Sequence, residues 1–351
     1  MLNLEELIAK AQQAGASDIH IICGLPVKCR IDGSIQTLLD GAMTHEDCEC
    51  VARELAGSEY DRMAAVGELD MARSFLCGAR TRINLFRQQG SVSAAIRILA
   101  DGIPLLEELE LPPVMAEFSG YRSGIVLVTG ETGSGKSTTL AALLDRINHT
   151  RSAHIITLED PIEYIYTPDK CIINQREIGA DTKSYADGLR SILREDPDVI
   201  LIGEMRDLPT IETALTAAET GHLVFATLHT NSAADSIDRM VNVFPEGQQR
   251  QIRLQVSTTL RAVVSQQLLP RRSGHGRVAA CEIMVVNSAI RNLIREGKTP
   301  QIDSFITMNA QSGSITMDSA LQKLVQNGIV SRETALSYAR DIEAFSSMRR
   351  V

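Results

Sequence analysis

The spacing of apolar positions changes along the chain. Over the first hundred residues the apolar runs are short and interrupted. Leu4, Leu7, Ile8 and Ala11 recur at helical spacing behind Asn3, a good N-cap residue with Glu6 at the reciprocal position, and Gly15 follows as a stop. Residues 19–22 and 27–31 read as strands, and Asp32-Gly33 is a tight-turn pair leading into Ile35, Thr37 and Leu38. Residues 44–55 predict a second helix stopped near Gly57. Residues 69–75 and 80–87 predict two strands joined by a turn at Cys77-Gly78. These elements predict a small α+β domain over residues 1–100.

Residues 101–113 hold Gly102, Pro104, Pro112 and Pro113, which remove donors and block helix continuation, so they are expected to be a linker. Beyond it the pattern is different. Ile125, Val126, Leu127 and Val128 form a continuous apolar run, as a strand buried on both faces requires. Residues 154–158, 199–202 and 223–227 repeat it, with helical stretches between. Strands alternating with helices predict a parallel sheet covered on both faces, an α/β domain over residues 114–351. The pattern is helical again over 318–344, and a helical C-terminal region is expected from about residue 285.

Composition narrows the function. At 351 residues the chain can hold two or three domains, and 44% hydrophobic with 23% charged residues is ordinary for a soluble protein. The 35 basic and 44 acidic side chains leave a charge of −9, which argues against a nucleic-acid coat, so no stable nucleic-acid partner is expected. No apolar run reaches the roughly 18 to 20 residues needed to span a bilayer. Residues 1–10 carry Glu5 and Glu6 and no basic leader, so the protein is expected in the cytoplasm. The seven cysteines read as scattered reduced thiols. A zinc site would have only Cys48 and Cys50 in a C-x-C, without a second pair.

The strongest chemical signal follows the 125–128 run. Gly130-Glu-Thr-Gly-Ser-Gly-Lys136-Ser137 fits G-x-x-x-x-G-K-[ST], between an apolar strand and the helical stretch 138–147. Its glycines let backbone N–H groups turn inward around phosphate oxygens, and the helix N-terminus adds positive potential. Lys136 is placed for the β- and γ-phosphates, and the Ser137 hydroxyl is a candidate Mg²⁺ ligand. Gly130, Thr132, Gly133, Ser134, Gly135, Lys136, Ser137 and Thr138 form the candidate nucleotide-binding set.

Hydrolysis also needs groups at the carboxyl ends of the parallel strands. The 154–158 strand runs into Glu159-Asp160-Pro161-Ile162-Glu163-Tyr164, the 199–202 strand into Gly203-Glu204, and the 223–227 strand into Leu228-His229-Thr230. Glu204 is a candidate for holding Mg²⁺ through water or polarising the attacking water. Glu163 is a candidate general base, and His229 a candidate γ-phosphate sensor or link between neighbouring sites. Each also fits a plain structural role as a loop residue, a cap or a core histidine. Residues 71–100 carry five arginines (73, 80, 82, 87, 97) and no acid, and residues 247–281 carry six (250, 253, 261, 271, 272, 277) and no acid. Such stretches fit a solvated positive face, a nucleic-acid surface short of aromatic platforms, or arginines facing phosphates, some from a neighbouring subunit in a closed ring.

With these motifs in view the chain resembles the secretion-type ATPases, and within them the PilT-type pilus retraction ATPases. The likeness extends to Gly15-Ala-Ser-Asp18-Ile-His20, Gly24-x-Pro26, Arg30-Ile-Asp-Gly33, Gly203-Glu-Met-Arg206-Asp207 and Ala289-Ile-Arg-Asn-Leu-Ile-Arg-Glu296. The last string favours the retraction branch. The longer N-terminal region and four-cysteine zinc element typical of extension and type II secretion ATPases are missing.

The resemblance implies a PAS-like N-terminal domain, a RecA-like motor domain and a homohexamer that hydrolyses ATP with Mg²⁺. It further implies that the motor draws pilins from a type IV pilus through an inner-membrane platform protein. Membrane association would then be peripheral, through that partner, at the cytoplasmic face of the inner membrane. Glu163 matches the acidic-box glutamate, Glu204 the Walker B glutamate and His229 the histidine-box residue. Arg82 and Arg97 match N-terminal-domain arginines near the nucleotide, with Arg80 beside them and Arg277 a further match. Two departures stand out: Glu131 replaces a proline in the phosphate loop, and Ile98-Leu99-Ala100 replaces Ile-Pro. A poorly hydrolysing regulator and an ATPase of another secretion or DNA-uptake filament are the alternative readings.

Overall fold

The structure, a computed structural model, describes residues 2–31, 34–99 and 102–347. The expected turn at Asp32-Gly33 and the Ala100 departure lie outside them. The chain divides into two compact units, Met1–Gly102 with Pro161–Ile165, and Ile103–Asp160 with Tyr166–Val351.

The first unit is a six-stranded sheet with helices on it. Its strands are β1 (Ala16–Ile21), β2 (Val27–Ile31), β3 (Ser34–Leu39), β4 (Glu68–Ser74), β5 (Arg80–Gln88) and β6 (Ser91–Ile98), in spatial order β3-β2-β1-β6-β5-β4. All five pairings are antiparallel. In β5, Thr81, Ile83 and Leu85 are buried while Arg82 is exposed, as one covered face and one wet face require. The helix Leu4–Gln13 buries Leu4, Leu7, Ile8 and Ala11, and Asn3 Oδ1 accepts from Glu6 N at 3.3 Å. The helix His45–Ala56 starts at a capping box in which Thr44 and Asp47 exchange bonds, and it ends at Gly57. The sequence pattern missed β6 and the short helix Tyr60–Val66. Cys48 sits buried in this core, and burial with a neighbouring Cys23 pushes its thiol up to about 11. All seven cysteines are free, and no cluster of three metal-binding side chains occurs among the described residues.

The second unit carries a seven-stranded sheet. Its strands are β7 (Gly124–Thr129), β8 (His154–Glu159), β9 (Ile172–Glu177), β10 (Val199–Ile202), β11 (Leu223–Leu228), β12 (Leu260–Pro270) and β13 (Arg277–Val285). The order is β13-β12-β7-β11-β10-β8-β9, and only β13 runs antiparallel to its neighbour. Every residue of β7, β10 and β11 is buried, which accounts for their unbroken apolar sequence. The helix after the phosphate loop is longer than its pattern suggested, Lys136–Thr150. The helices Leu208–Glu219 and Ala233–Asn242 start on Asp207 and Ser232, whose side chains accept from the N3 amides.

The β12–β13 hairpin was not legible beforehand. The helix Glu246–Thr259 passes straight into β12 at Leu260 with no Gly or Pro between them. After β13 the chain is helical or irregular, with helices at Ser288–Glu296, Ile302–Met308, Met317–Gln326, Arg332–Tyr338 and Ile342–Ser347. No described helix is long and apolar enough to cross a membrane.

Phe225 lies in β11 at 0% exposure, whereas Ile172 on the edge strand β9 is 66% exposed. Phe225→Ala is expected to cost the second unit about 3–5 kcal/mol. Ile172→Ala should stay within about 0.5 kcal/mol. Thermal unfolding monitored by calorimetry separates the two.

Candidate active site

The phosphate loop joins β7 to the helix Lys136–Thr150, and its shape depends on two glycines. Gly130 has φ +141°, and a Cβ there would lie 2.3 Å from the Gln266 carbonyl oxygen and 2.7 Å from Ser134 Oγ. Gly135 caps the helix at φ +89°, where a Cβ would meet the Gln266 amide at 2.7 Å. The loop is therefore pressed against β12. Gln266 fixes it: its Nε2 donates to Ser134 O at 2.7 Å and its Oε1 accepts from Thr139 Oγ1 at 2.9 Å. One strand step away, Thr129 and Ser265 hydroxyls pair at 2.9 Å.

Lys136 Nζ donates to the carbonyls of Gly130 (2.7 Å) and Glu131 (2.9 Å), so its ammonium folds over the loop. Ser134 is buried and its Oγ has no hydrogen-bond partner among the described residues. Thr132, Gly133 and Ser137 are exposed and Thr138 half-buried. Glu131, the residue that departs from the family pattern, is exposed, and its carboxylate accepts from Asn231 Nδ2 at 3.5 Å. A cavity of about 420 Å³ opens beside the loop, bounded among others by Gly135, Thr138, Gln266, Arg271 and Arg277. A glycine-rich turn, a lysine over it and an adjoining cavity are the features that polyphosphate binding demands.

Glu204 and His229 meet at the ends of β10 and β11. Gly203 leaves β10 with its amide on Leu158 O at 2.7 Å, and a Cβ at Gly203 would come within 2.9 Å of the Tyr185 hydroxyl. Thr227 Oγ1 donates to Gly203 O, and Met205 N donates to Thr227 O at 3.1 Å. These two bonds lace the strand ends together and bring His229 Nε2 to 3.2 Å from Glu204 Oε1. Arg206 Nε also donates to Glu204 Oε1.

Burial pushes the Glu204 carboxyl up. The Arg206 bond and the His229 charge outweigh it and hold the group below its ordinary value. It is therefore an anion throughout the neutral range. Tyr185 is pushed the other way, by burial first and then by Asp160, Glu204 and Glu159, so its phenol stays protonated. An ionised carboxylate and the Ser137 hydroxyl are the kind of oxygen donors that Mg²⁺ takes. Asp207 is a helix cap, whatever its place in the Gly203–Asp207 string.

The other candidates belong to the first unit. Arg82 and Arg97 stand opposite each other across β5 and β6, and Asp18 stands opposite Arg97 on β1. Arg97 Nε donates to Asp18 Oδ1 at 2.9 Å, whereas Arg82 is exposed with no ion-pair partner among the described residues. Arg80 donates to Ser74 Oγ at 3.2 Å and to Ile162 O at 3.3 Å. Glu163 is half-buried in the irregular segment that groups with this unit. Gln266 and Tyr185 escaped sequence reasoning. A polar residue inside the apolar stretch of β12 was the available signal for Gln266.

Residues 113–337 match the family described as type II/IV secretion system protein. The chain belongs to that family. This secretion ATPase is 45% identical over 345 residues to the type IV pilus retraction ATPase PilT of Pseudomonas aeruginosa, covering 98% of this chain and 100% of the relative. It is 50% identical over 279 residues to a twitching motility protein of Neisseria gonorrhoeae, covering 80% and 75% of the two chains. A crystal structure of the pilus retraction motor PilT with bound ADP superposes with a TM-score of 0.93 at 46% identity, over 99% of this chain and 100% of that one. The resemblance to PilT-type ATPases is thereby borne out. The chain is a P-loop ATPase, and the cradle between β7 and the following helix is its candidate nucleotide site.

Gly130→Ala is expected to raise the Kd for a fluorescent ADP analogue at least about tenfold, close to 1.4 kcal/mol. Gly133→Ala, also at positive φ but in open space, costs only about 1 kcal/mol of backbone strain and should bind more tightly than Gly130→Ala. Equal affinities for the two variants would contradict the close packing on Gln266.

Proposed function

We propose that this ATPase is the motor that retracts a type IV pilus, working as a homohexamer on an inner-membrane platform protein. The observation that carries the reading is the end-to-end likeness, 46% identical over 99% of the chain, to a pilus retraction motor whose crystal holds ADP. In this reading ATP lies with its phosphates on the loop amides and Lys136. Ser137 and Glu204 hold Mg²⁺, which when bound neutralises charge on the β- and γ-phosphates. Glu204 and Glu163 orient and deprotonate the attacking water, and His229, bonded to Glu204, senses the γ-phosphate. Arg82 and Arg97 of the N-terminal unit, expected to be PAS-like, stabilise phosphoryl charge, some of them across a subunit boundary. Arg80 of the N-terminal unit and Arg277 of the second unit are further nucleotide-binding residues in this reading. The enzyme works at the cytoplasmic face of the inner membrane, held there by its partner, and takes no stable nucleic acid.

Glu204→Gln removes an anion without changing shape. The purified variant is expected to bind ATP within about threefold of wild type and to lose at least about 100-fold in kcat. In the native host it should leave pili extended and abolish twitching. Hydrolysis at the wild-type rate would refute the site, and normal twitching with a dead enzyme would refute the pilus role.

Arginines acting across subunits make a second expectation. Mixing Arg82→Ala with Lys136→Ala chains should recover more ATPase activity than either alone, because a mixed ring contains interfaces with both groups intact. No recovery would assign Arg82 to its own subunit.

A further inference from the structure

Glu282 on β13 is a carboxylate at 0% exposure, far from the phosphate loop in sequence and without a part in the chemistry above. Its Oε1 accepts from Ala233 N at 2.9 Å, the first amide of the helix Ala233–Asn242. Its charge is met by Arg340, from the irregular stretch after the helix Arg332–Tyr338. Arg340 Nη2 donates to Glu282 Oε1 at 3.0 Å, and Nη1 lies 2.7 Å from Oε2 as an ion-pair contact. The same Nη2 donates to the carbonyl of Asn231, two residues beyond His229. Asp303 stands 3.9 Å from the guanidinium, and the Asp318 carboxylate anchors the Arg340 and Asp341 amides at 2.8 and 3.1 Å.

The C-terminal helices are thus bound to the loop that carries the histidine. They also reach the phosphate loop itself. Ser337, Tyr338 and Ala339 form one wall of a cavity of about 380 Å³, whose other wall includes Glu131, Thr132, Gly133 and Ser134. Glu131 in turn accepts from the Asn231 side chain. A buried carboxylate whose cation comes from a distant segment is costly to break, so the two segments keep one geometry.

From this juxtaposition we infer that Arg340 is a positioning residue. It locks the C-terminal helices to the 229–232 loop through Glu282 and the Asn231 carbonyl, and so sets His229 against Glu204. The inference rests on the catalytic reading of His229 and Glu204 given above. It assigns the helical C-terminal region a part in hydrolysis, so that a force or partner displacing those helices would slow turnover without emptying the nucleotide site.

Arg340→Lys in the full chain tests it. Lysine keeps a cation beside Glu282, so the fold is retained, but one ammonium cannot span both carboxylate oxygens and the Asn231 carbonyl. The expected result is a kcat about fivefold or more below wild type, with KM and ADP affinity within about twofold. In a His229→Ala background the same change should add less than about 1.5-fold, because both act through one group. A wild-type kcat in Arg340→Lys overturns the inference, as does a loss in kcat matched by equal losses in ADP affinity and thermal midpoint. If His229→Ala is impaired and Arg340→Lys adds its full loss on top, the lock alone falls. If His229→Ala hydrolyses normally, the catalytic reading of the histidine fails and takes the lock with it. The harsher Arg340→Gln leaves Glu282 uncompensated, and its failure to fold would leave Arg340→Lys as the deciding variant.

Discussion

The contact between the phosphate loop and β12 is the constraint on which the nucleotide site depends. A loop that presents successive N–H groups to an anion has none of the ladder bonds that hold a strand or a helix. Something else must fix its path. Here the Gln266 amide spans from Ser134 O to Thr139 Oγ1, tying the loop to the first turn of its helix from behind. The Gln266 carbonyl sits where any side chain at position 130 would be. Because β12 is hydrogen-bonded to β7, the buttress and the loop share one rigid sheet. The site is accordingly built by the sheet order: without β12 beside β7, the glycine pattern would specify a flexible turn.

The second half of the site uses the same device one strand over. Bonds from Thr227 to Gly203 and from Met205 to Thr227 couple the ends of β10 and β11. They place a histidine on a carboxylate that already has an arginine. The electrostatic outcome is a division of labour: Glu204 is held ionised, while the nearby Tyr185 is held neutral by burial first and then by the carboxylates around it. A permanently charged carboxylate suits cation binding and water orientation better than proton release, and Tyr185 remains a donor among acceptors.

Motifs with a stereochemical requirement were legible in the sequence. The phosphate loop, the all-buried strands β7, β10 and β11, and the cap at Asn3 follow from local rules about glycine, apolar runs and side-chain acceptors. The β12–β13 hairpin was hidden because the preceding helix ends at Thr259 without a breaker, and its strand identity comes from pairing with β7 and not from its own residues. β6 was hidden for a related reason: Ser93, Ala94 and Ala95 give weak strand propensity, and partners on both sides make up for it. Gln266 and Arg340 act at sequence separations that no local pattern reports. Both are long-range polar contacts, and their chemistry becomes visible only when the strands and helices that carry them are adjacent.

The two acid-free arginine stretches were alike in sequence and separate in structure. In the second, Arg261 donates to Ser123 O and Arg271 pairs with Glu110, so part of that charge holds the fold. In the first, Arg73 donates to Glu54 O, Arg87 lies 3.9 Å from Glu49, and Arg97 is bound by Asp18. Arg82 has no such tie among the described residues, and it faces a like charge across the strand pair, since Arg97 is its register partner. Like charges directly opposite destabilise a sheet, and Asp18 offsets part of this at Arg97. An anion brought to this exposed face would relieve the remaining repulsion. Arg97 is already engaged by Asp18, whose side chain is only 16% exposed against 64% for that of Arg97. The charge pattern therefore separates two arginines that the sequence treats alike: Arg97 is engaged by an acid, and Arg82 is left exposed beside it.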